Sequence, residues 1–112
     1  MSGRQLAGAS VLLVGASGGL GGATAAELAR RGAVLTLVGR DAARLDAVAA
    51  PGHRVPLDVR SPEACTAAVE AAVAHGGRLD VVINAVGVVA FGDVMSLSID
   101  TMEELFLTNT FV

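Results

Sequence analysis

The stretch Val11-Leu12-Leu13-Val14-Gly15-Ala16-Ser17-Gly18-Gly19-Leu20-Gly21-Gly22 decides the fold. Residues 11–14 are all apolar and too few for a helix, which implies a strand covered on both faces, as in a parallel sheet. Glycines break that strand. An alanine-rich run follows, with Leu20, Ala23, Thr24, Leu28 and Arg31 at helical spacing. Gly32 stands where a glycine ends a helix. Gly15, Gly19 and Gly21 form a G-x-x-x-G-x-G frame between the two elements. Gly15 allows the tight turn, and the glycines let backbone approach an anion. The amides and dipole of the helix start point at that anion. Strand, glycine-rich turn and helix in this order are the layout of a dinucleotide phosphate cradle. The rival reading is a tight connection with no ligand.

Outward from this unit, strand and helix signals alternate. Residues 33–38 form a second buried strand, and Asp41 caps a second helix reaching about Ala50. Pro51-Gly52 is a turn, and residues 54–57 make a short third strand. Ser61 as N-cap and Pro62 at the first helical position begin a third helix through Ala64, Ala68, Val69, Ala72 and Val73, which Gly76-Gly77 stops. Residues 80–84 form a fourth strand, and residues 87–97 a loop rich in Val and Gly. Asp100 with Glu103 resembles a capping box for a fourth helix, whose apolar face includes Met102, Leu105, Phe106 and Phe111. The order β-α-β-α-β-α-β-α predicts an α/β fold: a Rossmann-like, doubly wound parallel sheet with helices on both faces. Its strand order is expected to be 3-2-1-4, with a ligand crevice between strands 1 and 4.

The chain has 112 residues, enough for one domain spanning residues 1–112. Its hydrophobic fraction of 53% is mostly Ala and Val, suited to closely packed layers. All basic residues are Arg and the net charge is −3, so no nucleic-acid partner is expected. Cys65 is the single cysteine, which excludes an intrachain disulfide and is expected to pack on the third helix. With no call for an oxidising compartment, a cytoplasmic location is expected. No apolar run approaches the ~20 residues that span a membrane. Arg4 and the run 11–14 could pass for a short signal peptide, but the glycine turn accounts for that run as the first strand. Phe111-Val112 falls inside an apolar helical pattern without a cap, and strand 4 would be an open edge. The expectation is the truncated, N-terminal part of a longer protein, prone to form a homo-oligomer.

The end of strand 2 bears on ligand choice. An acidic residue there accepts from a ribose 2′-hydroxyl and repels a 2′-phosphate. Here Gly39 leaves room and Arg40 offers a guanidinium, which favours NADP(H) over NAD(H). The rival is an ordinary solvated arginine paired with Asp41.

Over the whole chain these residues resemble the short-chain dehydrogenase/reductase family, in its single-domain branch. The resemblance rests on the turn Gly15-Ala16-Ser17-Gly18-Gly19-Leu20-Gly21, on Gly39-Arg40, on Leu57-Asp58-Val59, and on Ile83-Asn84-Ala85-Val86-Gly87. It implies that Gly15, Ser17, Gly19, Leu20, Gly21 and Arg40 bind the cofactor phosphates, and that Asp58 and Val59 bind adenine. It also implies that Asn84, Ala85 and Gly87 hold strand 4 and the adenine ribose. Residues 104–109, Glu-Leu-Phe-Leu-Thr-Asn, resemble the family's fourth helix, in which Asn109 would support a proton-relay water. Val14, Ala85 and Val86 depart from the family's Thr, Asn and Ala at those places.

The family's catalytic Ser and its Tyr-x-x-x-Lys have no counterpart, since neither tyrosine nor lysine occurs in the chain. Ser96 and Ser98 precede Asn109 and do not match the family's Ser. His53 and His75 are expected at the surface or as caps. The resemblance implies the cofactor-binding half of an NADP-dependent oxidoreductase, passing hydride between nicotinamide and a small carbonyl or alcohol. This chain alone is expected to be inactive. The alternatives are a non-catalytic nucleotide-binding module and an NAD(P)-dependent epimerase or isomerase, since Gly15, Gly18 and Gly21 also fit G-x-x-G-x-x-G.

Overall fold

The computed structural model describes residues 6–87, 98–101 and 103. Seven elements follow one another: β1 (Ser10–Val14), α1 (Gly19–Arg30), β2 (Val34–Gly39), α2 (Ala42–Asp46), β3 (His53–Pro56), α3 (Pro62–Gly76) and β4 (Val81–Asn84). The strands form one parallel sheet in the order β3-β2-β1-β4. Leu12 is level with Thr36 on one side and with Val82 on the other.

Alternation along β1 and β2 sorts the core into two layers. Val11, Leu13, Leu35 and Leu37 face α1 and α2, where they meet Ala25, Leu28 and Leu45. Leu12, Val14 and Val38 face α3, where they meet Ala68 and Ala72. Helices therefore cover both faces of the two central strands, which explains their apolar sequences. Ala68, Ala72 and Gly76 recur every fourth residue, so α3 presents only small side chains to the sheet. A Cβ at Gly76 would run into Ser10 Oγ. Burial is less complete at the margin, where Val82 of β4 is 57% exposed and Val69 and Val73 of α3 are also open.

Caps follow the sequence signals. Asp41 accepts from the Arg44 amide at 3.2 Å, and Ser61 accepts from the Ala64 amide at 3.1 Å. Gly32 and Gly77 follow α1 and α3 in the left-handed conformation, at φ 84° and 77°. Three expectations need correction. Helix α2 stops at Asp46 instead of reaching Ala50. The Arg54 guanidinium takes the carbonyls of Val48 and Gly52 at 2.7 and 3.0 Å, and Pro51 disfavours helix before it. Strand β3 lies one residue earlier than expected. The helical residues after 98 are capped by Ser98, whose Oγ accepts from the Thr101 amide at 3.1 Å, so Asp100 lies inside the helix.

His53 and His75 are both exposed, with ring centroids 5.5 Å apart across the β3–α3 edge. Cys65 is exposed too. Its thiol donates to the Val59 carbonyl at 3.2 Å, so it closes the first turn of α3 and adds nothing to the core. Among the described residues no helix is long and apolar enough to cross a membrane. None of their His, Cys, Asp and Glu side chains gather in threes to hold a metal ion.

Candidate functional site

A cleft of about 780 Å³ runs along the carboxyl ends of the strands. Four chain segments build it, one after each strand. Val14, Gly15, Ser17 and Gly18 come from the turn after β1, and Ala85, Val86 and Gly87 from the segment after β4. Val38, Gly39, Arg40, Asp41 and Arg44 come from the end of β2 and the start of α2. Leu57, Asp58, Val59 and Arg60 come from the segment after β3. Open parallel sheets bind ligands at this end, where the strand order reverses.

The glycines divide by role. Gly15 has φ +81°, and a Cβ there would come 2.7 Å from the Ala85 carbonyl carbon. Both conformation and space therefore demand glycine. At Gly21 a Cβ would run into the Gly15 carbonyl oxygen. Gly21 is buried and packs α1 onto the turn, away from the cleft. Gly19 has no neighbour within 4 Å of an added Cβ, and Leu20 is 75% exposed. Neither they nor Gly21 line the cleft. Gly18 is the N-cap of α1 and supplies no capping side chain. The first-turn amides are thus not claimed by a side chain, and α1 has no acidic residue in that turn. That arrangement fits an anion such as a pyrophosphate.

Residue 39 is tighter than expected. A Cβ at Gly39 would lie 2.9 Å from Ser17 Oγ, so the Ser17 side chain already fills the space that glycine vacates. Arg40 is exposed on the cleft rim. Among the described residues it makes no hydrogen bond or ion pair, and Asp41 turns to the Arg44 amide instead. Arg44, one helical turn beyond Arg40, shares the cleft wall.

Asp58 is held by Arg60. Nε of Arg60 donates to both carboxylate oxygens at 3.1 and 3.2 Å, and Nη2 donates to Oδ2 at 2.9 Å. These bonds, with smaller help from the nearby Arg40 charge, hold the Asp58 carboxyl below its ordinary range. Val59 lines the cleft but is only 7% exposed, packed between β1, β2 and α3. Asn84 does not line the cleft. Its Oδ1 accepts from the Val86 amide at 3.0 Å and shapes the turn that carries Ala85 and Gly87 to the cleft wall. The Ala85 amide donates to the Val14 carbonyl at 2.8 Å, which ties that turn to β1.

The structure thus gathers Gly15, Ser17, Arg40, Asp58, Val59, Ala85 and Gly87 around one cleft and leaves Gly19, Leu20, Gly21 and Asn84 outside it. Asn109 and most of the 87–97 loop lie outside the described residues. Sequence reasoning passed over Arg44 and Arg60. The signals were present: Arg44 follows Arg40 by four residues, and Arg60 follows Asp58 by two.

Comparison with known proteins agrees with this architecture. The family described as short chain dehydrogenase matches residues 9–112. A versicolorin reductase of Emericella nidulans is 34% identical over 95% of this chain and 43% of its own length. A short chain dehydrogenase of Burkholderia cenocepacia, solved in complex with NADP, is 27% identical with a TM-score of 0.81. It matches 96% of this chain and 47% of its own. A 3-ketoacyl-(acyl-carrier-protein) reductase of Brucella melitensis, solved with NADH, is 27% identical with a TM-score of 0.83, over 94% of this chain and 46% of its own. The chain therefore spans less than half the length of these relatives.

Proposed function

The chain belongs to the short-chain dehydrogenase family, and we propose that it is the cofactor-binding half of an NADP(H)-preferring oxidoreductase acting on a small carbonyl or alcohol compound. When bound, the nicotinamide would supply or accept the hydride. The residues present suit such a cofactor. Gly15 lets the turn after β1 lie against the Ala85 backbone, and Gly18, the N-cap of α1, lines the cleft and supplies no capping side chain to the first-turn amides. On this reading the pyrophosphate lies across that turn, Asp58 and Val59 flank the adenine, and the turn shaped by Asn84 carries the ribose wall.

One observation carries the cofactor preference. Arg40 stands on the cleft rim with no ion-pair partner among the described residues, beside a residue 39 that has no carboxylate. Relatives have been solved with NADP and with NADH, so the choice rests on this chain's own side chains. Calorimetric titration with NADP+ and NAD+ tests it. NADP+ is expected to bind at least tenfold more tightly, the worth of about one charge-assisted contact. Equal binding would overturn the preference.

The 112 residues contain neither tyrosine nor lysine, so no side chain here matches the family's proton donor and its partner. By resemblance Asn109 would at most order a water. The chain by itself is therefore proposed to bind cofactor without turnover. A second reading is a module that binds nucleotide and does no chemistry. NADPH oxidation across a panel of aldehydes, ketones and quinones distinguishes these from an unrecognised enzyme. No rate above background is expected, and turnover abolished by Asn109→Ala would reveal a different catalytic apparatus.

A further inference from the structure

His53 and His75 stand on two different elements, away from the cleft. His53 opens β3, level with Thr36 of β2, whereas the cleft is lined by residues that follow β3. His75 lies in the last turn of α3. Backbone packing fixes both positions. The register of β2 and β3 sets His53, and the close approach of Gly76 to Ser10 pins the end of α3 to the start of β1. The two rings are exposed, with centroids 5.5 Å apart and planes tilted by 32°. Among the described residues neither ring makes a hydrogen bond or ion pair, so their nitrogens are open to an outside partner. The guanidinium of Arg54, beside His53 in the chain, is taken up by the Val48 and Gly52 carbonyls.

Imidazole suits borderline divalent cations such as Zn²⁺, Ni²⁺ and Cu²⁺, whereas Mg²⁺ and Ca²⁺ take oxygen ligands. A Zn²⁺ ion about 2.0–2.1 Å from a ring nitrogen lies roughly 3.2 Å from the ring centre, so two rings on one tetrahedral ion have centres roughly 5.2 Å apart. The observed separation is close to this, and small χ rotations of exposed side chains cover the difference. The carbonyl end of α3 adds partial negative charge, which favours a cation beside His75.

We propose that His53 and His75 together bind one transition-metal cation of this class, with water in its remaining positions, and that the ion staples the edge strand β3 to the end of α3. Two protein ligands make an open, exchangeable site rather than a closed structural centre. β3 has a sheet partner on one side only. In the unfolded chain nothing holds the two rings together, so the ion binds the folded chain better and raises its stability.

The test is calorimetric titration of the chain with Zn²⁺ and Ni²⁺, beside its His53→Ala, His75→Ala and Cys65→Ser variants. Wild type is expected to take up one ion per chain and to give no response to Mg²⁺. Either histidine substitution falls on an exposed side chain and is expected to weaken binding about tenfold or more, since one imidazole alone forms no chelate. Cys65→Ser removes the other exposed soft ligand and is expected to leave binding unchanged. No uptake by wild type, uptake that survives both histidine substitutions, or uptake lost with Cys65→Ser would overturn the proposal. Thermal melting gives a second readout: Zn²⁺ is expected to raise the Tm of wild type and of neither histidine variant. An equal shift in all three would sink the idea.

Discussion

Gly15 and Ala85 press together where the strand order reverses, so closely that a Cβ on residue 15 would lie 2.7 Å from the Ala85 carbonyl carbon. The contact joins the turn after β1 to the turn after β4, and the two form facing walls of the cleft.

Gly15→Ala is expected to be costly, because it combines a left-handed φ of +81° with a backbone collision. Strain of this kind amounts to roughly 1–3 kcal/mol, and the collision adds to it. Gly19→Ala is expected to behave oppositely. Nothing lies within 4 Å of its Cβ, and alanine raises helix propensity by up to about 1 kcal/mol. Urea unfolding of the two variants would show stability moving in opposite directions.

Arg40→Ala is expected to remove most of the preference for NADP+ over NAD+, roughly ten- to a hundredfold, while leaving NAD+ affinity nearly unchanged. A variant that weakens both cofactors equally would place Arg40 in the pyrophosphate contact. Calorimetry at two salt concentrations checks the charge, since an exposed guanidinium–phosphate contact weakens as salt rises.

Acid stability depends on exposed carboxylates held by arginine. Glu27 bonds Arg30 at 2.6 Å and Arg31 at 2.9 Å, which lowers its carboxyl to about 2. Asp58 is lowered by Arg60 in the same sense. A carboxyl lower in the folded than in the unfolded chain stabilises the fold above its unfolded value, about 4.3 for Glu. That contribution fades as pH falls from there toward 2. Glu27→Gln is expected to flatten the acid limb of stability against pH: its small loss of stability is present in full at pH 7 and vanishes near pH 2. Thermal melts between pH 2 and 7 follow the change, and added salt is expected to shrink it.

The order of elements was legible because β1, β2 and β4 are largely apolar runs and the helices between them carry caps and glycine stops of their own. The Ser61-Pro62 start and Gly77 stop of α3 are local chemistry and needed no tertiary knowledge. What escaped depends on side chains arriving from elsewhere. Arg54 reaches back from β3 to take the Val48 carbonyl, so α2 ends four residues before Ala50 although the alanines there favour helix. Within the site, the glycine frame and Arg40 were readable, but the division of labour among the glycines was not. Gly21 matters through a carbonyl six residues back, which only the folded turn brings beneath it. Arg60 escaped because its importance comes from the cleft it shares with Asp58 and Arg40.

Ser10 and Thr36 carry buried hydroxyls with no hydrogen-bond partner among the described residues. Thr36 lies on β2, 1% exposed, level with Leu12. Thr36→Val keeps the shape and removes the unsatisfied group, so stability is expected to rise by about 1 kcal/mol. Chemical denaturation measures this directly. A loss would mean that the hydroxyl has a partner, such as a bound water.

The strand order also sets a timetable. Val11 has Leu35 beside it on one edge, but its partner on the other is Val81, 70 residues further along. At ~5–20 residues per second, a ribosome needs roughly 4–14 s to make that stretch. For the last 46 residues of it, from Leu35 to Val81 and roughly 2–9 s, the most apolar strand of the protein has one edge paired and one bare. A nascent chain stalled between α3 and β4 would offer that edge to any other strand, so the rate at which residues 62–84 are synthesised bears directly on how much of the product aggregates.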